Sequence, residues 1–333
     1  MFSNAIKPTL QNEVVNCCPP LAQSQLEPPY TTNDLTYWDD QEKILTAPLD
    51  YLLETPGKDI RGSLINAFNE FLCIPQEKIA VIKKIIDLLH TASLLIDDIQ
   101  DSSKLRRGVP VAHSIFGVAQ TINSANLAYF IAQRELEQLS SPLAFSIYTE
   151  ELVNLHRGQG MELHWREKVY CPTEYEYIQM VRNKTGGLFR LAIRLMQGES
   201  SSNHDYIPLV ETLGILFQVR DDYQNLQCDI YSKNKGYGED ISEGKFSYPI
   251  IHSIHSRPED FRLISILKQH SEDEMVKQYA VNYIESTGSF AYCRQKLTTL
   301  LYQASEQLAA LEAEQNRGVQ LREIMELLKI KPT

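Results

Sequence analysis

Leu88-Leu89-His90-Thr91-Ala92-Ser93-Leu94-Leu95-Ile96-Asp97-Asp98-Ile99-Gln100-Asp101 is the stretch that decides the fold, and a basic segment ending in Arg106-Arg107-Gly108 follows it. Upstream, Ile79 to Ile96 carries apolar residues at intervals of three and four, the period of a largely buried helix. Three carboxylates then arrive within five residues. At about 100° per residue, Asp97 and Asp101 share a face one turn apart, with Asp98 on the flank. Like charges at that spacing cost a helix roughly a few tenths of a kcal/mol, so the cluster needs a cation. Oxygen ligands without Cys or clustered His suit Mg²⁺ or Ca²⁺ better than zinc. The forked donors of Arg106 and Arg107 take phosphate oxygens bidentately. Acids and arginines together suggest a diphosphate bridged by metal, although in isolation the stretch also reads as a charged helix end and a solvated basic loop.

A second copy changes the balance. Phe217-Gln218-Val219-Arg220-Asp221-Asp222-Tyr223-Gln224-Asn225 follows another apolar run, Leu209 to Phe217, and repeats the spacing of its polar residues at i, i+1 and i+4. Two such helix ends can face each other across a bundle cavity. The pair resembles the two aspartate-rich motifs of the trans-isoprenyl diphosphate synthases, in particular the fungal and animal geranylgeranyl diphosphate synthases. Ordered motifs carry the resemblance from about Tyr51 to about His255. It implies an all-α fold, a single large helical bundle of the isoprenoid synthase type with a central cavity.

The remaining composition sets bounds. With 333 residues, 43% of them apolar, the chain can bury a substantial core, and it has no apolar run of membrane-spanning length. A net charge of −11 argues against a nucleic-acid partner. The start has no signal-peptide pattern, and the cysteines at 17, 18, 73, 171, 228 and 293 form no CxxC pair. Reduced thiols in a cytoplasmic protein are the expectation.

Residues 1–44 are rich in Pro, Gln, Ser, Asn and Thr and read as an extended or disordered arm, leaving 45–333 as the synthase domain. Helices are expected near 58–72, 76–101, 119–139, 143–168, 174–182, 185–197, 207–228, 246–256, 259–269, 273–287, 289–314 and 318–329, with no strand. Asn183-Lys184-Thr185-Gly186-Gly187 is expected to break a helix. Gly158 and Gly160 inside another cost about 1 kcal/mol each relative to Ala, which suggests close helix approach or room for a ligand. Lys58 and Arg61 in Pro56-Gly57-Lys58-Asp59-Ile60-Arg61 sit at a helix start, where free amides favour an anion.

The resemblance assigns roles to these residues. Gly57, Lys58, Arg61, His90 and Arg107 would hold isopentenyl diphosphate. Gln159 and Glu162 would face the allylic substrate as supporting partners. Lys184, the Thr185 carbonyl and the Gln218 amide would surround the carbocation, and Arg106, Lys184, Lys235 and Lys245 would neutralise the departing diphosphate. Three Mg²⁺ are implied, two on Asp97 and Asp101 and one on Asp221, with Asp98 and Asp222 completing the catalytic set. Asn225 replaces the last acid of the second motif and is a doubtful metal ligand.

The implied reaction is head-to-tail condensation of isopentenyl diphosphate with dimethylallyl, geranyl or farnesyl diphosphate, in a homodimer or higher homo-oligomer. Ala92 and Ser93, one turn before Asp97, are small, so the growing tail should pass this level. Tyr129, Phe130 and His156 resemble the deeper floor of C20 synthases. A farnesyl-length product, a class I terpene cyclase and an inactive regulatory subunit are the alternatives. The paired aspartate motifs and the second anion pocket weigh against the last two.

Overall fold

The computed structural model describes residues 33–55, 57, 59–227, 237–315 and 317–330. Lys58, Lys235 and residues 1–32 of the expected arm therefore lie outside the described residues. The chain divides into two units, residues 1–43 and residues 44–333.

Within the second unit the apolar periodicity of the sequence becomes helices, and α1 (Asn33–Leu53) begins in the first. Next come α2 (Ile60–Leu72), α3 (Gln76–Gln100), α4 (Ala112–Phe116) and α5 (Val118–Glu135). They are followed by α6 (Ala144–Lys168), α7 (Glu174–Glu199) and α8 (Ile207–Gln227). The C-terminal part holds α9 (Glu239–Ser242), α10 (Tyr248–Ser256), α11 (Arg262–Lys268), α12 (Glu274–Ser286), α13 (Ser289–Gln315) and α14 (Val319–Leu328). The fold is all-α.

Helix α7 is the hub, packing on α2, α3, α6, α8 and α10, while α3 also pairs with α5 and α8 with α13. The main core gathers Ile79, Ile82, Leu89, Leu191, Leu195 and Leu216 between these helices. A smaller cluster of Leu49, Leu52, Ala92, Leu95, Ala125 and Ala128 ties the end of α1 to α3 and α5.

Besides the short helices α4 and α9, which no expected helix covers, the structure departs from expectation in three places. Helix α1 already starts at Asn33 and runs through Pro48. Proline cannot donate to the carbonyl four residues back, and the Gln120 amide donates to that Ile44 oxygen instead, at 3.4 Å. Helix α7 is not broken at Gly186-Gly187 but runs unbroken through them. The glycines serve contact: a Cβ on Gly214 of α8 would stand 3.3 Å from the Gly186 Cα.

Finally, the basic segment is a small antiparallel hairpin, β1 (Leu105–Arg106) against β2 (Val109–Pro110). Its turn, Arg107-Gly108, has positive φ at both residues (56° and 82°), the signature of a tight two-residue hairpin turn. Arg106 ends the strand while Arg107 sits in the left-handed turn, so the hairpin sends its two adjacent arginines to different partners.

Candidate active site

The C-terminal turn of α3 presents its acids to different surroundings. Asp98 is buried and accepts from Arg106, whose Nε lies 2.9 Å from Oδ1. Burial raises the Asp98 carboxyl above its ordinary range despite that arginine. Arg106, expected at the leaving diphosphate, is thus occupied in holding Asp98, because the hairpin folds it back onto the helix end.

Asp101 is bridged by two cations, Arg166 from the last turn of α6 and Lys245, whose Nζ is 2.7 Å away. Asp97 accepts from the Gln159 amide at 3.1 Å and lies 3.5 Å from the Lys184 amine, which also pairs with Glu162. Burial works against the charge on Lys184 and on Lys245, yet the surrounding carboxylates raise both above the ordinary lysine range.

From Lys184 the contacts pass to the second motif. The next residue, Thr185, donates its hydroxyl to Gln218 Oε1, and the Gln218 amide donates to Asp222 Oδ1 at 2.8 Å. Asp222 also accepts from the Tyr177 hydroxyl at 2.5 Å and the Tyr248 N–H at 2.8 Å. Burial pushes its carboxyl up to about 6. Asp222 is therefore an internal clamp. Asn225 is buried and accepts from the Asp240 N–H at 3.2 Å, an anchor for α9.

Gly158 of α6 makes this join possible, since a Cβ there would lie 2.5 Å from the Lys184 backbone nitrogen. The two acidic motifs, far apart in sequence, are linked through α7 into one site.

A second group lies beside it. Arg61, in the first turn of α2, donates to His90 Nε2 at 3.0 Å and stacks over the Phe189 ring, 5.2 Å from its centroid. Burial lowers Arg61 to about 10, although Asp87 and Asp221 oppose the shift. Burial, then Arg61, Arg107 and Arg106, hold His90 well below 6.5, so the ring is neutral and accepts. Arg107 donates to the Leu52 and Thr55 carbonyls and passes over Gly57, where a Cβ would sit 3.0 Å from its terminal nitrogen.

A profile of the polyprenyl synthetase family matches residues 42–284. A geranylgeranyl pyrophosphate synthase of Epichloe festucae (strain Fl1) is 72% identical over 292 residues, 88% of this chain and 87% of that one. One from Claviceps paspali is 72% identical over 290 residues, covering 86% and 87% of the two chains. One from Aspergillus fumigatus is 68% identical over 265 residues, covering 80% and 74%. The chain belongs to the polyprenyl synthetase family.

In this family member the expected chain-length residues separate. Ser93 lies on the same stripe of α3 as His90 and Asp97, its hydroxyl donating to the His90 carbonyl at 2.8 Å. Ala92 is fully buried in the smaller apolar cluster. Tyr129 packs on His156 with ring centroids 5.7 Å apart, and burial followed by the charge of Asp97 raises its phenol to about 12. Phe130 does not join them: it is 69% exposed, because one step along α5 turns it away from Tyr129 by about 100°. Among the described residues no helix is long and apolar enough to cross a membrane. The described cysteines, Cys73, Cys171 and Cys293, are free thiols.

Sequence reading missed Arg166, Glu243 and Tyr177. Arg166 follows Glu162 by four residues, on the same helix face, and Glu243 pairs with Lys245 two residues on. Tyr177 has no local signal, since only the packing of α7 on α8 brings it to Asp222.

Proposed function

We propose that the chain is a geranylgeranyl diphosphate synthase, joining isopentenyl diphosphate head-to-tail to dimethylallyl, geranyl or farnesyl diphosphate. The observation that carries this reading is the unbroken run of contacts from Asp97 through Lys184, Thr185 and Gln218 to Asp222, with Arg61 and His90 beside it. One site holds two kinds of group: acids paired with lysines, and arginines around a neutral histidine.

Mg²⁺ suits these acids, which offer hard oxygen donors. Mg²⁺ normally takes a few carboxylates and completes its shell with water and phosphate oxygens. Asp97 and Asp101 would hold two ions and Asp221 a third, supplying positive charge against a leaving diphosphate.

The rest of the chemistry falls to the chain. Lys184, Lys245 and Arg166, poised on Asp97 and Asp101, take up the charge that develops as the allylic C–O bond breaks. Arg61, His90 and Arg107, with Lys58, hold isopentenyl diphosphate so that its double bond attacks the allylic carbon. The new C–C bond leaves a cation that loses one proton to the released pyrophosphate. Thr185 and Gln218 turn polar atoms toward the intermediate cation, and Tyr129 with His156 closes the floor beneath the tail.

The apolar side chains exposed on α5 (Val118, Ile122, Phe130) and α6 (Phe145, Val153, Met161) fit a second copy of this chain as partner.

Pyrophosphate release is the test. It should require Mg²⁺, isopentenyl diphosphate and an allylic diphosphate together. Release from geranylgeranyl diphosphate alone would instead support the cyclase reading.

A further inference from the structure

We propose that Arg190 is a positioning residue for Lys184 and Thr185, acting through the backbone of the turn that carries them. This rests on the proposed synthase chemistry, in which that turn faces the allylic substrate.

A pair of adjacent glycines weakens a helix, and Gly186-Gly187 directly follow Thr185, yet α7 continues through them. Arg190 fills the gap. A Cβ on Gly186 would lie 3.2 Å from its Nη1. Through that opening the guanidinium folds back and Nη1 donates to the Arg182 carbonyl, which belongs to the turn that leads into Lys184.

The other edge of the guanidinium grips α6. Nη2 donates to Glu151 Oε2 at 2.7 Å and Nε to Oε1 at 3.3 Å, with both side chains buried. Nothing in the carbocation chemistry uses this pair. It joins the wall of α6 to one carbonyl of α7, immediately below the point where Lys184 reaches Asp97 and Thr185 reaches Gln218. A planar fork that satisfies a carboxylate and a carbonyl at once fixes where that turn sits, which a lysine with one amine does only in part.

Arg194 supplies an internal control. It also binds Glu151, at 2.7 Å, and pairs with Glu150, so its guanidinium is spent on these two acids of α6 rather than on the Arg182 carbonyl. A purely structural role predicts that losing either arginine lowers activity only in step with stability.

The experiment measures kcat, both KM values and melting temperature for Arg190→Met, Arg190→Lys, Gly186→Ala, Arg194→Met and Lys184→Ala in the full chain. The expected result is a kcat about 10- to 100-fold lower for Arg190→Met, partly restored in Arg190→Lys, with the KM for isopentenyl diphosphate within about twofold of wild type. Gly186→Ala, whose methyl would stand 3.2 Å from Nη1 and press on the guanidinium, should move kcat in the same direction, though less far, and stands in if Arg190→Met does not fold. Arg194→Met should keep kcat within about threefold of wild type whatever its melting temperature. Wild-type kcat in Arg190→Met and Gly186→Ala, or equal kcat loss in the Arg190 and Arg194 variants, would overturn the proposal. Wild-type kcat in Lys184→Ala would instead overturn the assignment of Lys184 on which it stands.

Discussion

Asp97, Asp98 and Asp101 look alike in sequence and end in three different environments: one beside a lysine and an amide, one locked on a buried arginine, one bridged by two cations. The cluster was legible because acids at helical spacing after an apolar run repel one another unless cations hold them. Their division of labour was not, since it depends on a hairpin turn and on side chains that arrive from α6 and from the segment after α9. His90 gives a consequence measurable at this scale. In the unfolded chain it titrates near 6.5, and in the folded chain well below, through burial and then the surrounding arginines. Between those values the unfolded chain takes a proton that the folded chain refuses. The contribution of neutral His90 is therefore complete above about 6.5 and is lost as pH falls below it. Melting temperatures at pH 7 and pH 5 should drop further for wild type than for His90→Gln, and equal drops would contradict the assignment.

Helices α6, α7 and α8 approach most closely at glycines, between the side-chain contacts that also join them. Composition already hinted at this, as glycine inside a helix is unfavourable without a reason. It could not separate a break from a contact. Gly186 and Gly187 read as a break, and the structure uses Gly186 at the crossing with α8. Gly158 and Gly160 read alike and differ in fact. A Cβ on Gly158 would meet the Lys184 nitrogen at 2.5 Å and the Met180 oxygen at 2.9 Å, while one on Gly160 has nothing within 4 Å. Backbone atoms of a packed helix cannot yield cheaply, so Gly158→Ala should lower stability by about 1–3 kcal/mol, the usual range for overpacking. It should also cut turnover by displacing Lys184. Gly160→Ala should be neutral or stabilise by up to about 1 kcal/mol from helix propensity. Chemical denaturation with parallel turnover assays checks both, and a Gly158→Ala enzyme as stable and active as wild type would remove the close approach from the account.

For the whole molecule, the all-α class and most helix positions followed from the apolar period and the prolines between helices. Helix α1 was obscured by Pro48, whose cost is offset by an amide from Gln120 to the Ile44 carbonyl, a contact across 76 residues that local sequence cannot supply. The depth of the product channel is likewise a property of several helices. In the proposed function Ser93 on α3, bonded to the His90 carbonyl, would set the first level below the diphosphate site, and Tyr129 on α5 against His156 on α6 would set the second. Phe130 lies outside this path, on the exposed side of α5. One helical turn is about 5.4 Å, roughly the reach of one isoprene unit. A bulky ring at 93 should therefore stop the chain early, and removal of the ring at 129 should let it grow. The most direct measurement is the mass of the prenyl products formed from isopentenyl diphosphate and farnesyl diphosphate, or dimethylallyl diphosphate, by wild type, Ser93→Phe and Tyr129→Ala. Wild type should give mainly C20, with a shift toward C15 for Ser93→Phe and longer chains for Tyr129→Ala. A wild-type enzyme that makes mainly C15, or a Ser93→Phe enzyme with an unchanged C20 product, would contradict this reading of the channel.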